Sequence, residues 1–273
     1  MLKWIVIVAL LGVAHSVAWA EELELFILAG QSNAQGWAGN GASYPADPDN
    51  ADKNIPFYWE TPKHSSSNGT WTHLQAQGGR FPKGHFGPEI AFARNLRKAG
   101  YKPALFKYTL GGTSLAADWG EPGGKGMYGR MVEELKKAIG LLEKEGHTVT
   151  PRGFVWIQGE SDGSSDTMAT GYEARLKRLI DDLRGNVLQS PDLPVLLGVD
   201  EQHPLMKQRP IVVETHKKIA HDVPFVAFTS MIGLPKADTS HLTPEGLEEH
   251  GKRIFDAFVK IEKKRMKSKP STK

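Results

Sequence analysis

This sequence has no cysteine and no large excess of charge of one sign. The 273 residues include no cysteine, which excludes a disulfide scaffold, a cysteine nucleophile and a thiolate metal site. The 34 Lys and Arg residues nearly balance the 31 Asp and Glu residues, and the formal net charge of +3 gives no reason to expect a nucleic-acid partner. Hydrophobic residues make up 40% and charged residues 24%, which is typical of a globular protein of one large domain or two small ones.

Long apolar runs are also rare, and the single one lies at the N-terminus. Residues 1–20 carry a positive charge near their start, at Lys3, followed by an apolar core, and they end in Ala18-Trp19-Ala20. This pattern is typical of a signal peptide cleaved after Ala20. The apolar stretch is short for a membrane span, and a retained N-terminal anchor is the alternative. We therefore expect a secreted or periplasmic protein without membrane contact after cleavage. The sequence predicts no particular oligomeric state.

Beyond residue 20, apolar runs typical of buried strands alternate with helical patterns. The predicted strands are Leu23–Ala29, Pro103–Leu110, Gly153–Ile157, Pro194–Val199 and Pro224–Phe228. The predicted helices are Pro88–Lys98, Met127–Glu145, Asp166–Arg184, Ile211–Ala220 and Pro244–Lys264. This alternation predicts an α/β fold with a central, mostly parallel sheet of about five strands, covered by helices on both faces.

Two segments stand outside this alternation. Residues 37–86 are rich in Gly, Asn, Ser, Pro and aromatic residues, and an irregular excursion of that length indicates a functional role. Residues 263–273 are basic and polar, and we expect them to form a disordered tail. The sequence thus predicts one domain over residues 21–262.

The first two strand ends carry residues suited to nucleophilic catalysis. Ligands bind at the carboxyl ends of parallel strands, so the residues that follow each strand are the candidates for a site. Ser32 lies in Gly30-Gln31-Ser32-Asn33, and a serine at such a strand-to-helix turn has an exposed hydroxyl and a free backbone N–H. The paired Gly111 and Gly112 allow a backbone amide to approach a ligand closely. Taken alone, the first pattern is more often a helix cap and the second more often a plain turn.

Two later strand ends add acids, an amide and a base. Gln158 offers a side-chain N–H donor, and Glu160 and Asp162 offer carboxylates in a segment without histidine, which implies no metal. A carboxylate at Asp238 is spaced to bond one imidazole nitrogen of His241 and leave the other as a base. Each pattern is common by chance, but together they supply what acyl transfer by a serine hydrolase requires.

Four blocks of the chain resemble the SGNH hydrolases, and more narrowly the carbohydrate esterase family 6 and sialate O-acetylesterase-like group. The blocks are FILAGQSNAQG at Phe26–Gly36, LGGTSL at Leu110–Leu115, WIQGESD at Trp156–Asp162 and DTSH at Asp238–His241. The resemblance implies a three-layer α/β/α, flavodoxin-like fold. It also implies removal of acetyl groups from sugars without a metal or another cofactor.

The resemblance also implies catalytic roles. Ser32 would be the nucleophile and His241 the general base. Asp238 would orient His241, with Glu160 as the alternative acid partner.

The resemblance further implies an oxyanion hole. Its donors would be the Ser32 amide, the amide of Gly111 or Gly112, of which we favour Gly112, and the Gln158 side chain. Glutamine at position 158 departs from the wider SGNH pattern, in which asparagine is usual, and matches the narrower group.

The sequence also suggests residues that contact the substrate and a class of substrate. Gln31 and Asn33 flank the nucleophile and are expected to contact substrate, as is Trp119, for which core packing is the alternative. The leading function is a secreted O-acetylesterase acting on acetylated polysaccharide such as acetylxylan, through an acetyl-enzyme. The alternatives are a sialate O-acetylesterase, a general short-chain acetylesterase and a carbohydrate-binding protein without catalysis. The last is disfavoured because binding alone needs no nucleophile or base.

Overall fold

The computed structural model describes residues 20–268, so almost all of the predicted signal peptide lies outside the described residues. The strands are β1 (Glu22–Gly30), β2 (Pro56–Thr61), β3 (Ser65–Ser66), β4 (Thr72–His73), β5 (Pro103–Thr109), β6 (Thr148–Ile157), β7 (Val195–Val199) and β8 (Val226–Ser230). The helices are α1 (Ser32–Gln35), α2 (Glu89–Lys98), α3 (Met127–Lys144), α4 (Asp166–Thr170), α5 (Tyr172–Asp182), α6 (Pro204–Gln208), α7 (Ile211–Asp222) and α8 (Pro244–Ser268). All five predicted strands are confirmed, as β1, β5, β6, β7 and β8.

The strands form one sheet of eight, not of about five as predicted. Its order is β3-β2-β5-β1-β6-β7-β8, and the short β4 pairs with β2. All neighbours from β2 to β8 along this order run parallel, whereas β3 and β4 are antiparallel to β2. The extra strands come from residues 37–86. The sequence of β2, PFYWET, begins with proline and shows no alternation, so its pattern did not indicate a strand.

Helices cover both faces of the sheet and make three layers, as predicted. Successive side chains of β1 point to opposite faces, so that Leu25, Ile27 and Ala29 join one core and Phe26 and Leu28 join the other. The first core is covered by α3, α5 and α7. The second core is covered by α2 and α8. All five strand residues are fully buried, which is why β1 reads as an unbroken apolar run.

Two predicted segments end differently from expectation. The helix predicted over Asp166–Arg184 is interrupted at Gly171, and the Ser165 side chain caps its first part. The final helix continues to Ser268, so the first six residues of the predicted disordered tail are helical. The last five residues lie outside the described part. Within residues 20–268, no helix combines the length and apolar character needed to cross a bilayer.

The central strand determines where a ligand can bind. From β1 the chain moves to one side of the sheet, where β2 and β5 lie, and later returns to the other side to form β6, β7 and β8. A crevice opens at the carboxyl ends of the strands where the order reverses in this way. Here that point lies above the end of β1, directly before Ser32.

Candidate active site

Ser32 begins the short helix α1 immediately beyond β1. Gly30 makes the sharp exit from the strand with φ of +141°, and a Cβ there would lie 2.0 Å from the carbonyl oxygen of Ile157. Only glycine fits at that position. Within residues 20–268 the backbone N–H of Ser32 has no acceptor, as is usual for the first amides of a helix. The turn therefore presents a serine together with a free amide.

His241 lies in the loop between β8 and α8, where Asp238 contacts both its backbone and its ring. One carboxylate oxygen, Oδ1, accepts hydrogen bonds from the backbone N–H groups of Ser240 at 2.7 Å and His241 at 2.8 Å. The other, Oδ2, lies 2.8 Å from Nδ1 of the His241 ring. Partial burial raises the pKa of Asp238, but these hydrogen bonds outweigh it and leave the pKa below its ordinary value. Asp238 is thus ionised at neutral pH and orients the imidazole.

Asn33 connects helix α1 to the loop between β8 and α8 that carries His241, which we call the histidine loop. Its Nδ2 donates to the backbone oxygen of Ser240 at 3.0 Å, and its Oδ1 accepts from the N–H of Leu242 at 3.1 Å. The side chain is buried, and both ends of its amide are used by the protein. Asn33 was predicted to contact substrate, but these bonds make it a clamp that sets the position of His241 relative to Ser32.

Glu160, the alternative acid partner, is bound elsewhere. Its Oε1 accepts the N–H of Asp200 at 2.9 Å, and no hydrogen bond joins it to His241 in the described part of the chain. Burial raises the pKa of Glu160 to about 7, although the amide of Asp200 opposes the shift. The geometry therefore supports Asp238, and not Glu160, as the partner of His241.

The two glycines after β5 differ in the hydrogen bonding of their backbone amides. The Gly111 N–H donates to Oε1 of Gln35 at 2.9 Å. Gly112 has φ of +73°, and among residues 20–268 its N–H has no acceptor. The backbone oxygen of Gln35 in turn accepts from Nζ of Lys107, which forms a fully buried ion pair with Glu89 at 2.8 Å. Of the two amides, that of Gly112 is therefore the one open to a ligand.

Gln158 does not reach the site in the way that was predicted. Its Nε2 donates to Oδ2 of Asp162 at 2.7 Å and to the backbone oxygen of Thr113 at 3.0 Å, and it also lies 3.3 Å from Oε1 of Gln31. The side chain is fully buried. An amide nitrogen carries two hydrogens, and both have protein acceptors here. The prediction that Gln158 donates to an oxyanion is therefore wrong for this arrangement.

The free groups converge on one pocket of about 330 Å³, within the size range of small-ligand sites. Ser32, Gly112 and His241 line it together, as do Gln31, Gly111 and Glu160. The remaining lining residues are Trp37, Ser161, His203, Leu205 and Ser240. No hydrogen bond joins Ser32 to His241 within the described residues, and in ligand-free enzymes this contact commonly tightens only when substrate binds.

His203 is a pocket residue that the sequence analysis missed. Its Nδ1 accepts the N–H of Leu205 at 3.2 Å, which places the ring proton on Nε2, and burial lowers its pKa, so the ring is neutral. It follows β7, the one predicted strand whose end was not searched. The rule that strand ends carry the site would have found it.

Two aromatic side chains differ in their relation to the pocket. Trp119, predicted to contact substrate, is fully buried and packs edge-on against Trp156 with ring centroids 4.7 Å apart, so that prediction is wrong. Trp37 lines the pocket, and its ring lies 5.7 Å from that of His241. The guanidinium of the exposed Arg80 stacks on Trp37 at 3.6 Å. Residues 37–86 therefore contribute one wall of the site.

A three-layer α/β/α fold with a serine, an aspartate-bound histidine and a free amide in one pocket is the arrangement of SGNH-type ester hydrolases. The model of the carbohydrate esterase, sialic acid-specific acetylesterase family matches residues 22–260. The chain belongs to this family and is a carboxylic ester hydrolase of the carbohydrate acetylesterase class. No curated protein sequence matches it.

Solved structures share this fold at low sequence identity. A protein from Arabidopsis thaliana is 24% identical with a TM-score of 0.65, and the match covers 88% of this chain and 98% of that one. NanS is 14% identical with a TM-score of 0.64, covering 90% and 99%. A carbohydrate acetylesterase from Xanthomonas citri is 19% identical with a TM-score of 0.57, covering 87% of this chain and 56% of that one.

Proposed function

We propose that this protein is a serine-dependent O-acetylesterase that removes acetyl groups from acetylated polysaccharide such as acetylxylan. The observation that carries the proposal is the meeting of three groups in one pocket: Ser32 with its free amide, His241 held through Nδ1 by Asp238, and the free amide of Gly112. These are a nucleophile, an oriented base and preorganised donors, which acyl transfer requires together.

The reaction proceeds through an acetyl-enzyme. Nε2 of His241 takes the hydroxyl proton of Ser32 as Oγ bonds to the acetyl carbonyl carbon, and the carbonyl oxygen becomes an oxyanion that the amides of Ser32 and Gly112 stabilise. When the tetrahedral intermediate collapses, the bond to the sugar oxygen breaks and His241 returns its proton to that oxygen. Water then attacks the acetyl-enzyme with the same assistance, releasing acetate and restoring Ser32.

The remaining lining of the pocket supports a sugar ester. Trp37 and Leu205 give the pocket aromatic and apolar surface against which a sugar can pack. Ser161, Ser240 and the Nε2–H of His203 offer polar groups for hydroxyls. A few placed polar groups within an otherwise apolar cleft are typical of small-ligand sites.

Acetate release from acetylated xylan by the purified protein, beside its Ser32→Ala variant, tests the proposal. We expect release by the parent and none by the variant, with equal thermal melting. Serine-dependent cleavage of 4-nitrophenyl acetate without release from xylan would retain the mechanism and reject this polysaccharide. Equal turnover by parent and variant would reject the serine mechanism, and binding of xylan without any hydrolysis would favour a non-catalytic carbohydrate-binding protein.

A second candidate substrate is an O-acetylated sialic acid, and Arg80 favours it. Arg80 is exposed beside the pocket, stacked on Trp37, and it forms no ion pair within residues 20–268. A guanidinium held in this way is suited to a substrate carboxylate. Arg80→Gln should raise KM for acetylated sialic acid at least tenfold and leave KM for 4-nitrophenyl acetate unchanged. An unchanged KM for the acidic sugar would remove this support.

We also propose export, on the pattern of residues 1–20 alone. N-terminal sequencing of the protein recovered from the periplasm or the culture medium should begin at Glu21. A mature protein that still begins at Met1 would contradict cleavage.

A further inference from the structure

Two glutamine side chains lie against each other at the base of the pocket, and they have different tasks. We propose that Gln31 supplies the side-chain hydrogen bond to the oxyanion, and that Gln158 is a positioning residue that holds Gln31 in place. The inference rests on the proposed function, because an oxyanion forms only if Ser32 attacks an ester.

The orientation of Gln158 follows from its neighbours. Nε2 lies 2.7 Å from Oδ2 of Asp162 and 3.0 Å from the backbone oxygen of Thr113, so an amide oxygen turned to that side would face two acceptor oxygens. Oε1 accepts the hydroxyl of Tyr172 at 2.9 Å on the opposite side. The nitrogen is therefore directed to Asp162, Thr113 and Gln31, all of which are protein acceptors. No hydrogen of this amide remains for a substrate.

The orientation of Gln31 is set by two donors. Its Oε1 accepts from the backbone N–H of Ser161 at 3.3 Å and lies 3.3 Å from Nε2 of Gln158, which shares with it a hydrogen directed mainly to a nearer acceptor. Because both neighbours are donors, the oxygen must face them and the nitrogen must face away. Within residues 20–268, Nε2 of Gln31 has no acceptor, and it is not among the buried unpaired atoms. Since Gln31 lines the pocket, these two N–H bonds are open to it.

The position of Gln31 suits the charge that develops in the reaction. It directly precedes Ser32, and both line the pocket beside Gly112. An attack by Oγ of Ser32 generates the oxyanion next to the amides of Ser32 and Gly112, and the Gln31 amide would be the third donor. This donor needs no rearrangement during the reaction, because the protein has already fixed its oxygen. Loss of one such donor typically lowers kcat by about 10²–10³-fold.

Gln31→Ala and Gln31→Glu test the assignment with 4-nitrophenyl acetate. We expect Gln31→Ala to lower kcat by about 10²-fold with KM changed by less than about threefold, because the donor acts on the transition state and not on the bound ester. Gln31→Glu should lower kcat further, since it retains the acceptor for Gln158 and Ser161 but presents a second carboxylate oxygen where the donor was. The matched control is Gln75→Ala, which removes an amide that donates to the backbone of His73 outside the pocket and should leave kcat unchanged.

Gln158 is tested through Gln31. If Gln158 acts only by positioning, Gln158→Met should lower kcat, and the double variant with Gln31→Ala should be no slower than Gln31→Ala alone. Losses that multiply in the double variant would overturn the positioning role. If thermal melting shows that Gln158→Met does not fold, the Gln31 variants still test whether Gln31 donates a hydrogen bond to the oxyanion.

The outcomes separate the inference from the function on which it rests. Loss of turnover in Ser32→Ala with kcat of Gln31→Ala within threefold of the parent would reject the Gln31 donor and retain the serine esterase. A higher KM at unchanged kcat in Gln31→Ala would likewise reject it, because that pattern describes ground-state binding. Unchanged turnover in Ser32→Ala would reject the proposed function itself.

Discussion

Replacing Asp238 by asparagine exchanges one carboxylate oxygen beside His241 for an NH₂ group, and the hydrogen bonds around the side chain determine how the asparagine is oriented. Oδ1 of Asp238 accepts two backbone N–H groups, so the asparagine oxygen must remain on that side. Its NH₂ group then faces Nδ1 of His241, 2.8 Å away in the parent. That nitrogen must accept a hydrogen bond, which moves the ring proton to Nε2. Nε2 can then no longer take the proton of Ser32.

The size of the effect follows from two contributions. In the well-studied serine proteases, the same change at a buried aspartate lowers kcat by about 10⁴-fold, mainly through the wrong tautomer. The Asp238 side chain is 52% exposed, so solvent screens its stabilisation of the imidazolium more than at a buried site, but solvent does not restore the tautomer. We therefore expect Asp238→Asn to lower kcat by about 10²–10³-fold.

The assay is hydrolysis of 4-nitrophenyl acetate between pH 6 and 9, with thermal melting of each variant as the control. Glu160→Gln is the comparison, because Glu160 lines the same pocket and, within residues 20–268, has no hydrogen bond to His241. We expect it to lose less than about tenfold. A loss below tenfold in Asp238→Asn, or a larger loss in Glu160→Gln at similar stability, would refute the assignment of Asp238 as the orienting acid.

Three further predictions concern stability and positioning. Because burial raises the pKa of Glu160 from 4.5 to about 7, the folded protein binds this proton more tightly than the unfolded chain, so stability should fall as pH rises between these values. Glu160→Gln should flatten that part of the pH profile of urea unfolding, and an unchanged slope would contradict the shift. Lys107→Met leaves Glu89 charged and buried, and should lower the free energy of unfolding by about 3–5 kcal/mol at pH 7; a loss below about 1 kcal/mol would show that the pair is not desolvated. Asn33→Ala releases the histidine loop and should lower kcat at least about tenfold at nearly constant KM, whereas a change in KM alone would make Asn33 a substrate contact.

The sequence predicted the parts of the molecule whose physics is local. The apolar runs identified β1, β5, β6, β7 and β8 because both faces of the sheet are covered, and the rule that ligands bind at strand ends selected Ser32, Gly112 and His241, which line one pocket. The strand β2 was missed because its aromatic and polar residues follow no period of two.

The predictions about site residues that failed depended on the direction of a side chain. Gln158 stands at a strand end, yet its amide turns toward Asp162, a partner whose position no spacing rule supplies. Trp119 follows the second block, yet it is buried against Trp156 of β6. Position along the chain indicates which loop a residue occupies. Only packing determines which way its side chain points.

The Asn33 clamp also has a consequence for the order in which the protein becomes active. Its two hydrogen bonds join residues that are 207 and 209 positions apart in the chain. Contacts of such long range form late in folding, because the intervening chain must first be ordered. During synthesis Ser32 emerges from the ribosome early, but the histidine loop emerges only after β8. Ester hydrolysis would therefore begin only when the last strand is in the sheet, and a nascent chain stalled before residue 240 would carry the nucleophile without its base.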